Sequence, residues 1–279
     1  MIRFFSSLLF ILMALLSYGQ EKDLYSIESS KKFANYLYGS GNYQQAAIEY
    51  ERLILLDSLK SDSFKHWALV CYRKAGLLTT ALERIDNWHP YAISEADYKS
   101  PYAREYALCL TGLGYYNEAL DFLKANAHIK PNDKNLLASI NYSYLGQWQK
   151  AKERLDLVKE ESFTKEVLIK GVDQGLKLKL KKPGLAATLS ILPGLGRVYT
   201  GNYIDAGLSL LVIGTFSWQS YTGFDQNGIS SVYGWLTGGI AAGFYFGNIY
   251  GSYRAAELIN KQKIEAILYE VDRAYGLIE

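Results

Sequence analysis

Histidine, cysteine, methionine and proline are scarce in this chain: three, two, two and five among 279 residues. His66, His89 and His128 are scattered, and no His-x-x-x-His pair occurs, so a histidine metal site has no local basis. Gly-Lys-Ser/Thr and a Gly-x-Ser-x-Gly elbow are also missing. Gly112-Leu113-Gly114 and Gly194-Leu195-Gly196 follow no strand pattern and lack a third glycine at the spacing of a phosphate loop. Glu160 and Glu161, beside Lys159, read as a solvated face rather than an acid pair. The expectation is a non-enzymatic protein without cofactor or metal. A net charge of +2 gives no electrostatic footprint for nucleic acid.

Charge is also missing locally. Nineteen residues between Asp205 and Asp225 carry none, and neither do twenty-eight between Asp225 and Arg254. A membrane-crossing helix needs about 20 predominantly apolar residues. The intervening Thr222–Gly228 has the Gly and Asn of a reversal, which predicts a transmembrane helical hairpin. Gly184–Gly196 is uncharged over only thirteen residues and contains Pro193-Gly194. It forms either a re-entrant or interfacial helix, or a short third span extended past Arg197. Three spans return the basic C-terminal segment to the cytoplasm and are slightly favoured on the positive-inside preference.

The first nineteen residues combine Arg3, an apolar run from Leu8 to Leu16 and small residues Ser17 and Gly19, the three parts of a secretory signal. Export would expose Cys71 and Cys109 to oxidation. They nevertheless fall at equivalent positions of successive helical repeats, whose axes pack about 8–10 Å apart. A disulfide needs Cα atoms within about 4.4–6.8 Å, so both are expected to be free, small and buried.

Residues 20–175 repeat themselves. Gly41…Ala46, Gly76…Ala81, Gly114…Ala119 and Gly146…Ala151 share a Gly-x-x-x-x-Ala pattern at intervals of 35, 38 and 32 residues. The glycine suits a turn of positive φ at the end of a first helix, and the alanine suits close packing of a second. Small or medium residues stand seven before each glycine (Ala34, Leu69, Ala107, Ser139) and bulky ones four before (Leu37, Tyr72, Leu110, Tyr142). This pattern resembles the tetratricopeptide repeat, a helix–turn–helix unit of 34 residues. The resemblance implies an all-α solenoid that holds a protein partner in its groove. Lys31 and Asn35 match the first-repeat positions of a carboxylate clamp, but Trp67, Pro101 and Glu105 occupy the later ones. By the family's geometry Tyr38, His66, Arg73, Lys74, Arg104 and Tyr144 would line the groove.

A basic linker, 176–182, alternates Leu and Lys, as a strand face or a bilayer-surface segment would. The membrane module, 183–253, carries Ser190, Pro193, Gly194, Gly196, Tyr199 and Gly201. These resemble the Ser-x-x-Pro-Gly-x-Gly-Gln-x-Tyr-x-Gly motif of small TM2-like bacterial membrane modules, with Arg197 in place of Gln. The resemblance implies a bacterial membrane location, at the inner membrane with the repeats in the periplasm, and no established activity. Gly239, Gly243, Gly247 and Gly251 recur every fourth residue on one helix face, a packing surface for the other span or for a second copy. Gly234 and Gly238 begin a parallel row. Residues 254–279 read as a C-terminal amphipathic helix. Two readings follow: a membrane-anchored scaffold for a protein partner in the envelope, or a small transport or membrane-remodelling component whose glycine-rich helices do the work.

Overall fold

A computed structural model describes residues 26–88, 99 and 101–278. The expected signal, residues 1–19, and His89 lie outside them. The described residues are all-helical, with thirteen α-helices and no strand. They form two compact units divided between Asn141 and Tyr142.

The first unit holds α1 (Ile27–Gly39), α2 (Tyr43–Leu56), α3 (Ser61–Lys74), α4 (Leu78–Trp88), α5 (Tyr102–Gly112), α6 (Tyr116–Ala125) and most of α7 (Pro131–Tyr144). Its turns are made one way. Gly41, Gly76 and Gly114 have φ of 78°, 76° and 84°. This left-handed residue lets the next amide reach back five residues: Asn42 N–H donates to Leu37 O, Leu77 N–H to Tyr72 O and Tyr115 N–H to Leu110 O. Each helix thus ends in a Schellman closure that satisfies orphan carbonyls and reverses the chain. Ala46, Ala81 and Ala119, five residues on, are wholly buried, as are Ala34, Leu69, Ala107 and Ser139 on the preceding helices. With no room beyond Cβ at the alanines, the second helix of each pair lies close on the first. Leu53, Leu108, Leu123 and Ile140 fill the remaining core. Cys71 and Cys109 are free and buried, and burial pushes both thiols up to about 12.

The second unit holds α8 (Trp148–Asp156), α9 (Phe163–Leu176), α10 (Pro183–Leu189), α11 (Leu195–Thr200), α12 (Tyr203–Asn227) and α13 (Val232–Gly276). The fourth glycine–alanine pair falls here, with Gly146 at φ 68° and Ala151 buried. Ser162 caps α9 by accepting from Lys165 N–H, and Ser231 caps α13 by accepting from Gly234 N–H.

Helix α13 organises this unit. Its 45 residues run without a break for about 67 Å at 1.5 Å per residue. Residues 254–276 therefore continue α13 rather than starting a helix of their own. Arg254–Glu257 and Lys261–Glu265 pairs, at i,i+3 and i,i+4, continue α13 past the point where charge returns. Its first half packs against α10, α11 and α12, and its last turns against α9. There Gly171 meets Ile267, Glu270 and Val271, and Lys170 pairs with Glu270 at 2.6 Å.

Among the described residues, no helix is long and apolar enough to cross a membrane. Helix α12 is free of charge between Asp205 and Asp225, and α13 from its start to Arg254, but Gly, Tyr, Ser, Thr and Trp dilute their apolar content. A third span has no helix to form it either, since α10 and α11 are seven and six residues long. The linker Leu178–Lys182 is neither strand nor helix. Asn260 brackets it, donating to Lys181 O and accepting from Lys181 N–H, each at 2.7 Å.

Candidate functional site

In the first unit the structure gathers several of the expected groove residues into two neighbouring clusters. Tyr38 sits edge-on to Tyr43 and Trp67, with centroids 5.5 and 5.4 Å away, and the Lys74 ammonium lies over Tyr38 at 5.4 Å. His66 flanks Trp67, and burial lowers its pKa, so the imidazole is neutral at pH 7. The second cluster alternates charge. Arg73, buried, donates from Nε to Glu105 at 2.7 Å. Arg104 approaches Glu105 at 3.7 Å and Asp133 at 3.8 Å.

The remaining expected residues stand apart. Asn35 accepts from the Tyr50 hydroxyl at 2.6 Å, so its amide is engaged within the repeat. Lys31 is exposed. Tyr144 belongs to the second unit, where its hydroxyl donates to Asp272. Sequence spacing underrates Trp67 and Glu105, which depart from the clamp pattern yet stand at the centres of the two clusters. Half-exposed Trp67 and the Lys74 ammonium over Tyr38 offer stacking and cation–π contacts, whereas Arg73 and Glu105 are buried and engaged with each other. Such a face can bind a peptide segment.

In the second unit each motif residue has a geometric reason. Gly194 has φ 88°, and a Cβ there would lie 2.6 Å from Ala206 O, so only glycine lets α12 start against the turn. A Cβ on Gly196 would lie 2.0 Å from Ser190 Oγ and 2.2 Å from Ala186 O, where α10 and α11 touch. Gly201 ends α11 at φ 89°. Pro193 stands in the turn between α10 and α11. Tyr199 accepts from Lys182 N–H through its hydroxyl and carries the Lys181 ammonium over its ring at 4.7 Å. Arg197 pairs with Asp205 at 3.2 Å, and its guanidinium occupies the space a Cβ on Gly251 would need.

The close approach within the hairpin falls on the parallel glycine row rather than on Gly239, Gly243, Gly247 and Gly251. Within the hairpin, Gly234 and Gly238 take the close approach, against Phe224 and Ser220, and Gly223 meets the Gly234 backbone. The Ser220 hydroxyl donates across to Gly234 O at 2.8 Å. Gly239, Gly243 and Gly247 have open space where a Cβ would stand, and Gly251 meets Arg197 instead of α12. The two rows differ by one position, and only the α12 contact shows which is used. Gly243 and Gly247 form the floor of an open cleft of about 370 Å³.

Comparison with family models, with curated proteins and with solved structures finds no match to this chain.

Proposed function

We propose that the chain is a membrane-anchored tetratricopeptide-like scaffold of the bacterial envelope, held in the bilayer by the α12–α13 hairpin and binding a partner protein through its repeats. The observation that carries this reading is the hairpin surface. Ile204 and Leu211 on α12 and Trp235 and Phe246 on α13 are 88%, 65%, 64% and 68% exposed, and the hairpin carries no charge between Asp205 and Asp225 or between Asp225 and Arg254. Soluble monomers rarely leave so large a contiguous apolar surface in water. Its Tyr and Trp residues, Tyr245 apart, gather at two levels, with the phenylalanines Phe216, Phe244 and Phe246 between them. Trp218, Tyr221, Tyr233 and Trp235 stand near the turn, and Tyr199, Tyr203, Tyr250 and Tyr253 near the base. Tyr203 and Tyr221 are about 27 Å apart along α12, close to the ~30 Å of a hydrocarbon core, the arrangement of interfacial belts.

Two crossings rather than three follow from this reading. The Asn260 bracket ties the basic linker to the basic part of α13, so both flanks lie on one side of the bilayer. Positive flanks favour the cytoplasm, whereas the signal-like N-terminus exports the repeats. Long domains translocate largely regardless of charge, so the repeats are assigned to the periplasm and the hairpin to the inner membrane.

Flotation of the full chain on phospholipid vesicles after an alkaline wash tests the anchor. The native chain is expected in the vesicle layer, and a Leu211→Asp/Phe246→Asp variant in the soluble fraction. A native chain that stays soluble overturns the anchor. A photo-crosslinker at Trp67 in the full chain tests the groove: capture of one envelope protein, abolished by Lys74→Glu, supports it, and no capture defeats it. The cleft over Gly243 and Gly247 favours a second reading, a transport or remodelling component. Gly243→Leu/Gly247→Leu that abolishes function while insertion and partner capture persist would favour it.

A further inference from the structure

The cleft lies where α11, the start of α12 and the middle of α13 meet. Its volume of about 370 Å³ falls within the range of ligand pockets. Most of it is apolar, with Leu208 and Val212 on one wall and Phe244 on the other. The bare α13 backbone at Gly243 and Gly247 makes the floor, which any larger side chain would raise.

One end is polar in an unusual way. Asn248 is only 4% exposed, and its amide nitrogen donates to Ser190 O at 3.1 Å, which fixes the orientation of the group. Asn248 lines the cleft, and its buried Oδ1 has no donor among the described residues. Arg197 is anchored through Nη1 to Asp205 at 3.2 Å, while its Nε has no acceptor among the described residues. A buried polar atom with no partner marks a place where one is to be supplied. The site therefore asks for an acceptor at Arg197 and a donor at Asn248 and Asp205. Asp205 already balances the Arg197 charge, so a simple anion gains little there. A headgroup carrying an anion and an ammonium joined by a two-carbon unit satisfies both requirements.

We propose that this cleft binds a zwitterionic aminophospholipid, its phosphate on Arg197, its ammonium against Asp205 and Asn248, and an acyl segment over Gly243 and Gly247. The inference rests on the membrane reading above, which sets the polar end near the interfacial Tyr203 and the apolar end toward the hydrocarbon.

The test uses full-length protein in detergent micelles, titrated with equimolar phosphatidylethanolamine, phosphatidylglycerol and phosphatidylcholine and read by native mass spectrometry. One phosphatidylethanolamine per chain is expected, retained about tenfold over the other two, because phosphatidylglycerol lacks the cation and phosphatidylcholine the N–H donor. Asp205→Asn removes the preference, and Arg197→Gln lowers retention of all three lipids. Gly243→Leu, on the open face of α13, abolishes retention while the thermal transition stays in place, so a folding defect at Arg197 cannot mimic the result. Equal retention of the three lipids, or full retention in Gly243→Leu, overturns the proposal. Competition by free phosphoethanolamine at lipid concentrations overturns its lipid part. Flotation of the same preparation reports the membrane reading separately. A chain that floats without headgroup preference removes only this site, and a chain that does not float removes the reading beneath it.

Discussion

Gly41, Gly76 and Gly114 in the first unit and Gly196, Gly223 and Gly234 in the second meet opposite constraints. The first three have positive φ, and nothing but a tyrosine hydroxyl tip at Gly114 comes within 4 Å of where a Cβ would stand. Their side chain is absent for the sake of the backbone. The second three have ordinary helical backbones, and a neighbour fills the place of the missing Cβ. Their side chain is absent for the sake of another helix. Turn glycines set how a chain reverses, and contact glycines set how near two helices come. Loss of one kind is a local strain, and loss of the other separates elements.

Substitutions can break this contrast in order of severity. Gly196→Ala puts a methyl against Ala186 O, a backbone atom that cannot move aside, and is expected to destabilise the second unit by about 3 kcal/mol or more. A thermal transition within a few degrees of native would refute the contact. Gly41→Ala costs about 1 kcal/mol, the strain of a left-handed alanine with no clash, read as a modest fall in the denaturation midpoint. Gly243→Ala has open space and a helical backbone, so it should be neutral or stabilise by up to about 1 kcal/mol through helix propensity. A marked loss of stability there would show that the cleft floor packs against something.

Acid sharpens the contrast by a smaller effect. Burial lowers the His66 pKa below 6.5, so the folded first unit resists protonation that the unfolded chain accepts. Stability is complete above 6.5 and declines as pH falls below it, and His66→Gln should flatten that decline. In the second unit, the hydrogen bond from Lys170 holds Glu270 below its usual 4.5, so its contribution is complete above 4.5 and declines only below it. Melting each variant between pH 7 and pH 5 separates the two.

The turns of the repeats were legible because a glycine that must take positive φ leaves a mark in a single chain position, and a buried alanine five residues on repeats the mark. The hairpin was legible as an absence of charge. Its packing was not, because rows beginning at Gly234 and Gly239 have the same period and only the position of α12 distinguishes them. Neither was the pairing of α9 with the end of α13, since Lys170 and Glu270 lie one hundred residues apart. The return of charge at Arg254 suggested a boundary, yet the i,i+3 and i,i+4 pairs carry the helix through it. The cleft escaped notice because its polar atoms come from Arg197, Asp205 and Asn248, which no local spacing connects.

An unbroken helix of about 67 Å is a mechanical element as well as a scaffold. No proline and no residue of positive φ interrupts α13, and any bend would fall in its glycine-rich first half, at Gly238-Gly239 or Gly251-Ser252. Gly234 in the hairpin and Glu270 under α9 belong to one continuous helix. The grip of α9 at Gly171 and Lys170 then feels any tilt of the apolar end at the scale of a lever arm.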